Sequence, residues 1–297
     1  LLTGSTGYIG KRLLPLLLES GHQVICAVRD KNRFNVPLSY VENIKVIETD
    51  FAHVDSVNSI PSDVDVAYYL IHSMSHEKDY EDMEKECAKN FRNALEKTSV
   101  DQVIYLGGII NEEILSKHLE SRKTVEEELA KGRYNFTSLR SGIIIGSGSA
   151  SFEIIRDLVE KLPIMVAPKW LKTKCQPISI SDVLKILTGV LKNPITYNQN
   201  FDIGGPKVLS YKQMLLEFAG ERKLWRKIFV IPVLTPKLSS YWLYFITSTS
   251  FRLARSLVGS MKVNIICRNN DLTKILKIEP LSYLQSLRLA FRKIESN

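Results

Sequence analysis

The first ten residues, LLTGSTGYIG, constrain the fold more than any other stretch. Gly4, Gly7 and Gly10 stand three apart. A short apolar run, Leu1 and Leu2, precedes them, and Ile9, Leu13, Leu14, Leu16 and Leu17 follow with helical spacing. Strand, glycine-rich turn and helix is the context in which such glycines carry a mechanism. Gly4 permits a tight turn out of the strand, Gly7 lets a pyrophosphate approach the backbone, and Gly10 lets the helix sit close to the sheet. The free N–H groups and partial positive charge at the helix N-terminus then favour phosphate. Ser5, Thr6, Tyr8 and Ile9 complete the loop and are assigned with the three glycines to phosphate binding.

Strands and helices alternate from there. A helix is expected over about residues 8–20, with Gly21 as its C-terminal cap. QVICAV (residues 23–28) reads as a buried strand because its apolar run is nearly continuous. Further strands are expected at 44–48, 65–71, 102–108 and 135–142, with helices near 54–60, 77–98 and 113–131 between them. This rhythm predicts a doubly wound parallel α/β sheet with helices on both faces. Right-handed crossovers then place the strand C-termini on one edge, where ligands bind. After Gly142 the rhythm breaks. Helices are expected at about 152–161 and 211–220, another helix after a cap at Ser179 or Ser181, and a strand over 200–205. The expected division is a dinucleotide-binding domain over 1–145 and a smaller, mostly helical α/β region over 146–297 that caps the substrate and interleaves with the sheet.

Composition narrows the classes. With 44% hydrophobic and 24% charged residues the chain is globular rather than fibrous or disordered. Its four cysteines lack a C-x-x-C spacing, which points to reduced thiols, a cytoplasmic setting and no metal site. No signal-peptide pattern opens the sequence, and Leu1 already reads as strand, so residues are expected to precede it. Residues 200–297 hold 16 Lys and Arg against 6 Asp and Glu, so the basic excess belongs to the C-terminal third. An anionic small-molecule substrate or peripheral contact with a membrane surface would suit it. Nucleic acid is not expected, because no binding motif for it accompanies the charge. Between Lys237 and Arg252 lie 14 uncharged residues including Trp242, Tyr244 and Phe245. They fall short of the roughly 20 apolar residues a membrane span needs.

The second strand ends at Val28, followed by Arg29 and Asp30. An acid at that end would accept from a ribose 2′-hydroxyl, whereas an arginine suits a 2′-phosphate. Arg29, with Lys31 or Arg33 in support, therefore favours NADP(H) over NAD(H), and Asp30 stands one step late. Asp50 and Phe51 follow the third strand, within reach of an adenine. Leu70, Ile71 and His72 follow the fourth and would pass under the adenosine ribose. His72 and His76 are further candidates to face the nicotinamide.

With TGSTGYIG, AYYLIHS (67–73), IYLGG (104–108) and LRSGIIIGSGSASFE (139–153) in view, the chain resembles the short-chain dehydrogenase/reductase superfamily, a Rossmann fold. TGxxGxxG is the glycine pattern of its extended and atypical branches, which include nucleotide-sugar epimerases. The resemblance implies that Leu106, Gly107 and Gly108 at the end of the fifth strand, and Ser141, Gly142 and Ile143 after the sixth, lie along the cofactor. It also implies a Tyr-x-x-x-Lys pair and a strand-end Ser, which this chain lacks. The matching helix reads HLESR, and the strand ends in Gly107 and Gly108. The chain is similar to an atypical subgroup in which His-x-x-x-Arg stands in for Tyr-x-x-x-Lys.

The replacement is chemically sound. Residues four apart share a helix face, so His118 and Arg122 act together. His118 titrates near neutral pH and serves as general acid or base, and Arg122 holds ribose hydroxyls or lowers the histidine pKa. The expected activity is hydride transfer between NADP(H) and a carbonyl, alcohol or quinone-like group. A cofactor-binding sensor or assembly factor without catalysis, and a nucleotide-sugar epimerase or dehydratase, are the alternatives. Lesser candidates are Arg140 as an ion-pair anchor, Ser147–Ser151 as a phosphate loop or helix cap, and Lys174 and Gln176 in the substrate cleft.

Overall fold

A computed structural model describes residues 1–36, 38–72, 80–110, 117–231, 261–268 and 271–295, with backbone alone at 38, 80, 117 and 118. His76, the aromatic stretch 238–251 and the expected helix starts near 77 and 113 lie outside the described residues, as does the side chain of His118. The chain divides into two compact units. The first comprises Leu1–Gly107, Ser121–Arg140 and Leu184–Phe201, and the second Gly108–Glu120, Ser141–Val183 and Asp202–Asn297.

The first unit opens with β1 (Leu2–Thr3), α1 (Gly10–Glu19), β2 (Val24–Val28), β3 (Ile44–Glu48) and β4 (Val66–Tyr69). It continues through α2 (Tyr80–Leu95), β5 (Gln102–Gly108), α3 (Lys117–Leu129) and β6 (Asn135–Ser141), of which Gly108, residues 117–120 and Ser141 belong to the second unit. The expected third and fifth strands coincide with β3 and β5. These strands and Gln199–Ile203 form a seven-stranded sheet. Its order is Gln199–Ile203, β6, β5, β4, β1, β2, β3. Parallel ladders join β1 to β2 and β4, β2 to β3, and β4 to β5. The fold is therefore the doubly wound α/β sheet expected. Strand order reverses at β1, whose Leu2 lies opposite both Cys26 and Tyr68. That reversal is the topological switch point at which such sheets bind ligands.

Aromatic packing fills this unit's core. Phe91 is fully buried, with its ring 4.8 Å from Tyr69 and 5.5 Å from Phe51, both edge-on. The buried side chains of Gln102 and Tyr68 are paired, as desolvation demands. The Gln102 amide donates to Thr137 Oγ1 and the Val190 carbonyl and accepts from the Lys192 N–H. Tyr68 donates to the Leu187 carbonyl at 2.9 Å. These bonds tie residues 187–192 to the sheet, although they lie far downstream in sequence.

The second unit is built on α4 (Ala150–Lys161), α6 (Tyr211–Glu221) and a C-terminal helix, Tyr283–Glu295. The α5 helix (Ile180–Gly189) divides between the units. Phe152, Phe218 and Phe291, one from each of the three helices, meet with centroids 5.0–5.8 Å apart. The parallel pair Ile164–Pro168 and Lys227–Ile231 and the C-terminal helix were not legible as elements in the sequence. Among the described residues no helix is long and apolar enough to cross a membrane.

Candidate functional site

The glycine loop has the geometry its spacing demands. Gly4 turns at φ +65°, a conformation that side-chain-bearing residues rarely adopt. A Cβ there would come within 2.6 Å of the Leu70 carbonyl oxygen, so the loop crosses the end of β4 at backbone contact. A Cβ on Gly10 would fall on the carbonyl oxygen of Gly4, which rests against the first turn of α1. Gly7 N–H closes the turn onto that same oxygen at 2.9 Å. Thr6 and Gly7 are exposed, Tyr8 and Ile9 half-buried and Ser5 buried, so the loop tip meets solvent above a rigid base. Arg12, one turn into α1, stacks over the Tyr8 ring at 4.0 Å and donates to the Tyr8 carbonyl. A cradle with no room for a Cβ, at the head of a ten-residue helix, fits a pyrophosphate.

Arg29 is exposed just beyond β2. Asp30 is committed locally: its carboxylate accepts from Asn32 N–H at 2.9 Å and caps a short 3-10 turn, Lys31–Arg33. Asp50 likewise accepts from Ala52 N–H and stays half-exposed. Phe51 is 4 % exposed, with its ring against Phe91 and its carbonyl taken by Asn90, so its ring is a core element.

The C-terminal edge of β4 carries a polar cluster. Thr3 Oγ1 donates to the Tyr68 carbonyl and accepts from Leu70 N–H, joining β1 to the segment that leads to His72. His72 Nδ1 lies 3.2 Å from Glu84 Oε1 on α2, and Ser121 Oγ on α3 donates to Glu84 Oε2. Glu84 is 6 % exposed. Burial pushes its carboxyl up, but the bonds from His72 and Ser121 and the charge of Arg122 outweigh this and hold it below the usual range. An ionised carboxylate only accepts, so His72 Nδ1 carries the hydrogen. Burial, and then Arg122, push the His72 imidazole below its ordinary pKa against the pull of Glu84. Arg122 donates through Nη1 to the Leu106 carbonyl at 3.4 Å, and its own carbonyl accepts from Tyr105. Its Nε is buried without a hydrogen-bond partner among the described residues. An orphaned donor on a fixed cation fits a ligand oxygen.

Glu84 and Ser121 were not among the sequence candidates. Ala88, Phe91 and Leu95 define the buried stripe of α2, and Glu84 stands one turn before them on the same face. A carboxylate at a core position was the signal. Ser121 extends the Val125–Leu129 stripe of α3 in the same way.

Gly107 is buried beneath the Tyr105 ring, which a Cβ would meet at 2.6 Å, so a side chain at that position would have to displace the ring. Arg140 is an ion-pair anchor: it grips both carboxylate oxygens of Glu126 on α3. In the second unit the Ser141 carbonyl accepts from Ile109 N–H. Ser141 and Ile143 are buried there and Gly142 and Gly108 half-buried. Ser149 caps α4 by accepting from Phe152 N–H. Gln176 spends its amide on the Gly205 carbonyl and Cys267 N–H, so its side chain braces backbone, and Lys174 is exposed beside it.

Divinyl chlorophyllide a 8-vinyl-reductase of Cucumis sativus is 23% identical over 222 residues, 69% of this chain. The chain spans about half the length of the curated relatives it matches. A Staphylococcus aureus nucleoside-diphosphate-sugar epimerase superposes with a TM-score of 0.78 at 15% identity, over 97% of this chain and 98% of its own. An Escherichia coli NADPH-dependent quinone oxidoreductase complexed with NADPH superposes at 0.76 and 16% identity, over 98% and 99%. At such identities these structures show the shared fold. The profile of the NAD(P)H-binding family matches residues 4–158, more than half of the chain, from the glycine cradle into α4. The chain belongs to that NAD(P)H-binding family.

Proposed function

We propose that the chain is an NADP(H)-dependent oxidoreductase of the atypical short-chain dehydrogenase/reductase type. Its substrate is a small molecule bearing a carbonyl, alcohol or quinone-like group. The carrying observation is the Gly4–Gly10 cradle with Arg29, rather than an acid, exposed at the end of the neighbouring strand β2. That pairing supports a pyrophosphate at the helix head and a 2′-phosphate at the arginine. Asp50 and the backbone of Phe51 serve the adenine, and Leu70, Ile71 and His72 the adenosine ribose. Arg122 offers its buried Nε to the nicotinamide ribose. Leu106, Gly107, Gly108, Ser141, Gly142 and Ile143 are assigned along the cofactor, and His118 as general acid or base. The bound nicotinamide would supply or accept the hydride. NADPH in the E. coli quinone oxidoreductase, which shares the fold, supports the cofactor choice.

A non-catalytic sensor or assembly factor is the second reading. It is favoured by Gly107, where a side chain would meet the Tyr105 ring, and by the lack of Tyr-x-x-x-Lys on α3. Fluorescence titration with NADPH and NADH, followed by an NADPH-oxidation screen against carbonyls and quinones, separates the two. Binding of NADPH at least about tenfold tighter than NADH is expected, a difference of about 1.4 kcal/mol, with turnover of some acceptor. Arg29→Asp should erase the preference and leave NADH binding intact. Equal affinities in wild type and variant would sink the cofactor assignment, and tight binding without turnover would favour the sensor.

A further inference from the structure

His72, Glu84, Ser121 and Arg122 come from three separate elements of the first unit: the segment after β4, α2, and α3. One carboxylate serves two of them, accepting from His72 Nδ1 at 3.2 Å on one oxygen and from Ser121 Oγ on the other. A nearly buried acid in an apolar stripe is costly unless it is fully bonded. Its bonds reach His72 after β4 and, through Ser121, the turn of α3 that carries Arg122. Eight residues along α2 the link repeats: Arg92 Nη1 meets Glu128 Oε1 at 2.9 Å. Glu84–Ser121 and Arg92–Glu128 therefore rivet α2 to α3 two turns apart, with the helices running side by side in the same direction. Of the two rivets, only the first also reaches the end of β4.

We propose that Glu84 is a positioning residue of the site: it fixes His72 as the Nδ1–H tautomer, which leaves the basic nitrogen at Nε2, and it braces the Ser121–Arg122 turn of α3. The dyad gives the chain, in addition to His118, a second histidine able to hold and move a proton. His72 keeps 23 % of its side-chain surface exposed, while Glu84 is closed off. This deepens the oxidoreductase reading and rests on it. Glu84 from α2 and Arg122 from α3 are the charged groups that act on His72 among the described residues, with opposite signs. Tyr69, Tyr105 and Cys87 are the further titratable groups around Glu84 and Arg122. Burial raises all three, so they stay neutral near pH 7.

The test is nitrogen-15 NMR of the imidazoles in the full chain, with His72 assigned by its loss in His72→Asn, read with and without NADPH. Wild type should show the Nδ1–H tautomer at pH 7.5. Glu84→Gln keeps the shape and removes the charge, so the His72 midpoint should move lower. Arg122→Met should move it higher. A carboxylate that served packing alone would not fix the tautomer of His72. An Nε2–H tautomer in wild type, or midpoints unmoved by both variants, overturns the proposal. Should Glu84→Gln fail to fold, the wild-type tautomer still decides. Absence of NADPH binding with the expected tautomer and shifts would overturn the cofactor reading while upholding Glu84. NADPH binding with an Nε2–H tautomer would do the reverse.

Discussion

At Gly10 two effects of one methyl group oppose each other. Alanine is the better helix former by about 1 kcal/mol in a helix interior. Here its Cβ would occupy the place of the Gly4 carbonyl oxygen, and backbone must move. Overpacking of that kind costs about 1–3 kcal/mol, so strain wins. Gly10→Ala should lower the melting temperature by a few degrees and weaken NADPH binding by at least about tenfold. Calorimetry with and without the nucleotide reads both; unchanged affinity would count against the loop as the phosphate cradle. The glycines and Arg29 were legible residue by residue, because their spacing and their place after a strand are local facts. Glu84 was not, since its meaning depends on Ser121 and His72, which lie 37 and 12 residues away.

Elements were legible where one periodicity dominated. β3 sets Ile44, Val46 and Ile47 among charged residues, β5 is an apolar run closed by two glycines, and both were placed to the residue. The pair Ile164–Pro168 and Lys227–Ile231 escaped because each strand completes itself only against the other, more than sixty residues away. The α2 helix reads as strongly charged, yet its inner stripe carries the unit's aromatic core. Phe91 is fully buried between Phe51 and Tyr69. Phe91→Ala should cost about 3–5 kcal/mol in urea unfolding, and Phe91→Leu much less. A loss under about 1 kcal/mol would mean that the core relaxes around the hole.

For the whole molecule, buried titration couples site and stability. His72 has a native pKa below its ordinary 6.5, chiefly through burial. Between the native value and 6.5 the unfolded chain binds the extra proton, so stability rises with pH across that window and is lost as pH falls through it. Glu84 has the opposite ionic preference: its native pKa lies below the ordinary 4.5, and its contribution is present above 4.5 and lost only on further acidification. Urea unfolding from pH 7.5 to 5.5 should therefore show a decline that His72→Asn reduces, with Glu84 unchanged in charge. An identical slope in the variant would show that His72 is not the group responsible. By itself the sequence determined the doubly wound sheet, the glycine cradle and the arginine at the end of β2. These follow from apolar periodicity and from backbone sterics over a few residues. Only the tertiary structure decided the strand order and the place of Gln199–Ile203 at the sheet edge. It also decided the commitment of Phe51 and Gln176 to packing, and the meeting of His72, Glu84 and Ser121. Each of these is a contact between distant segments, and the cost of burying polar groups is settled only when their partners arrive.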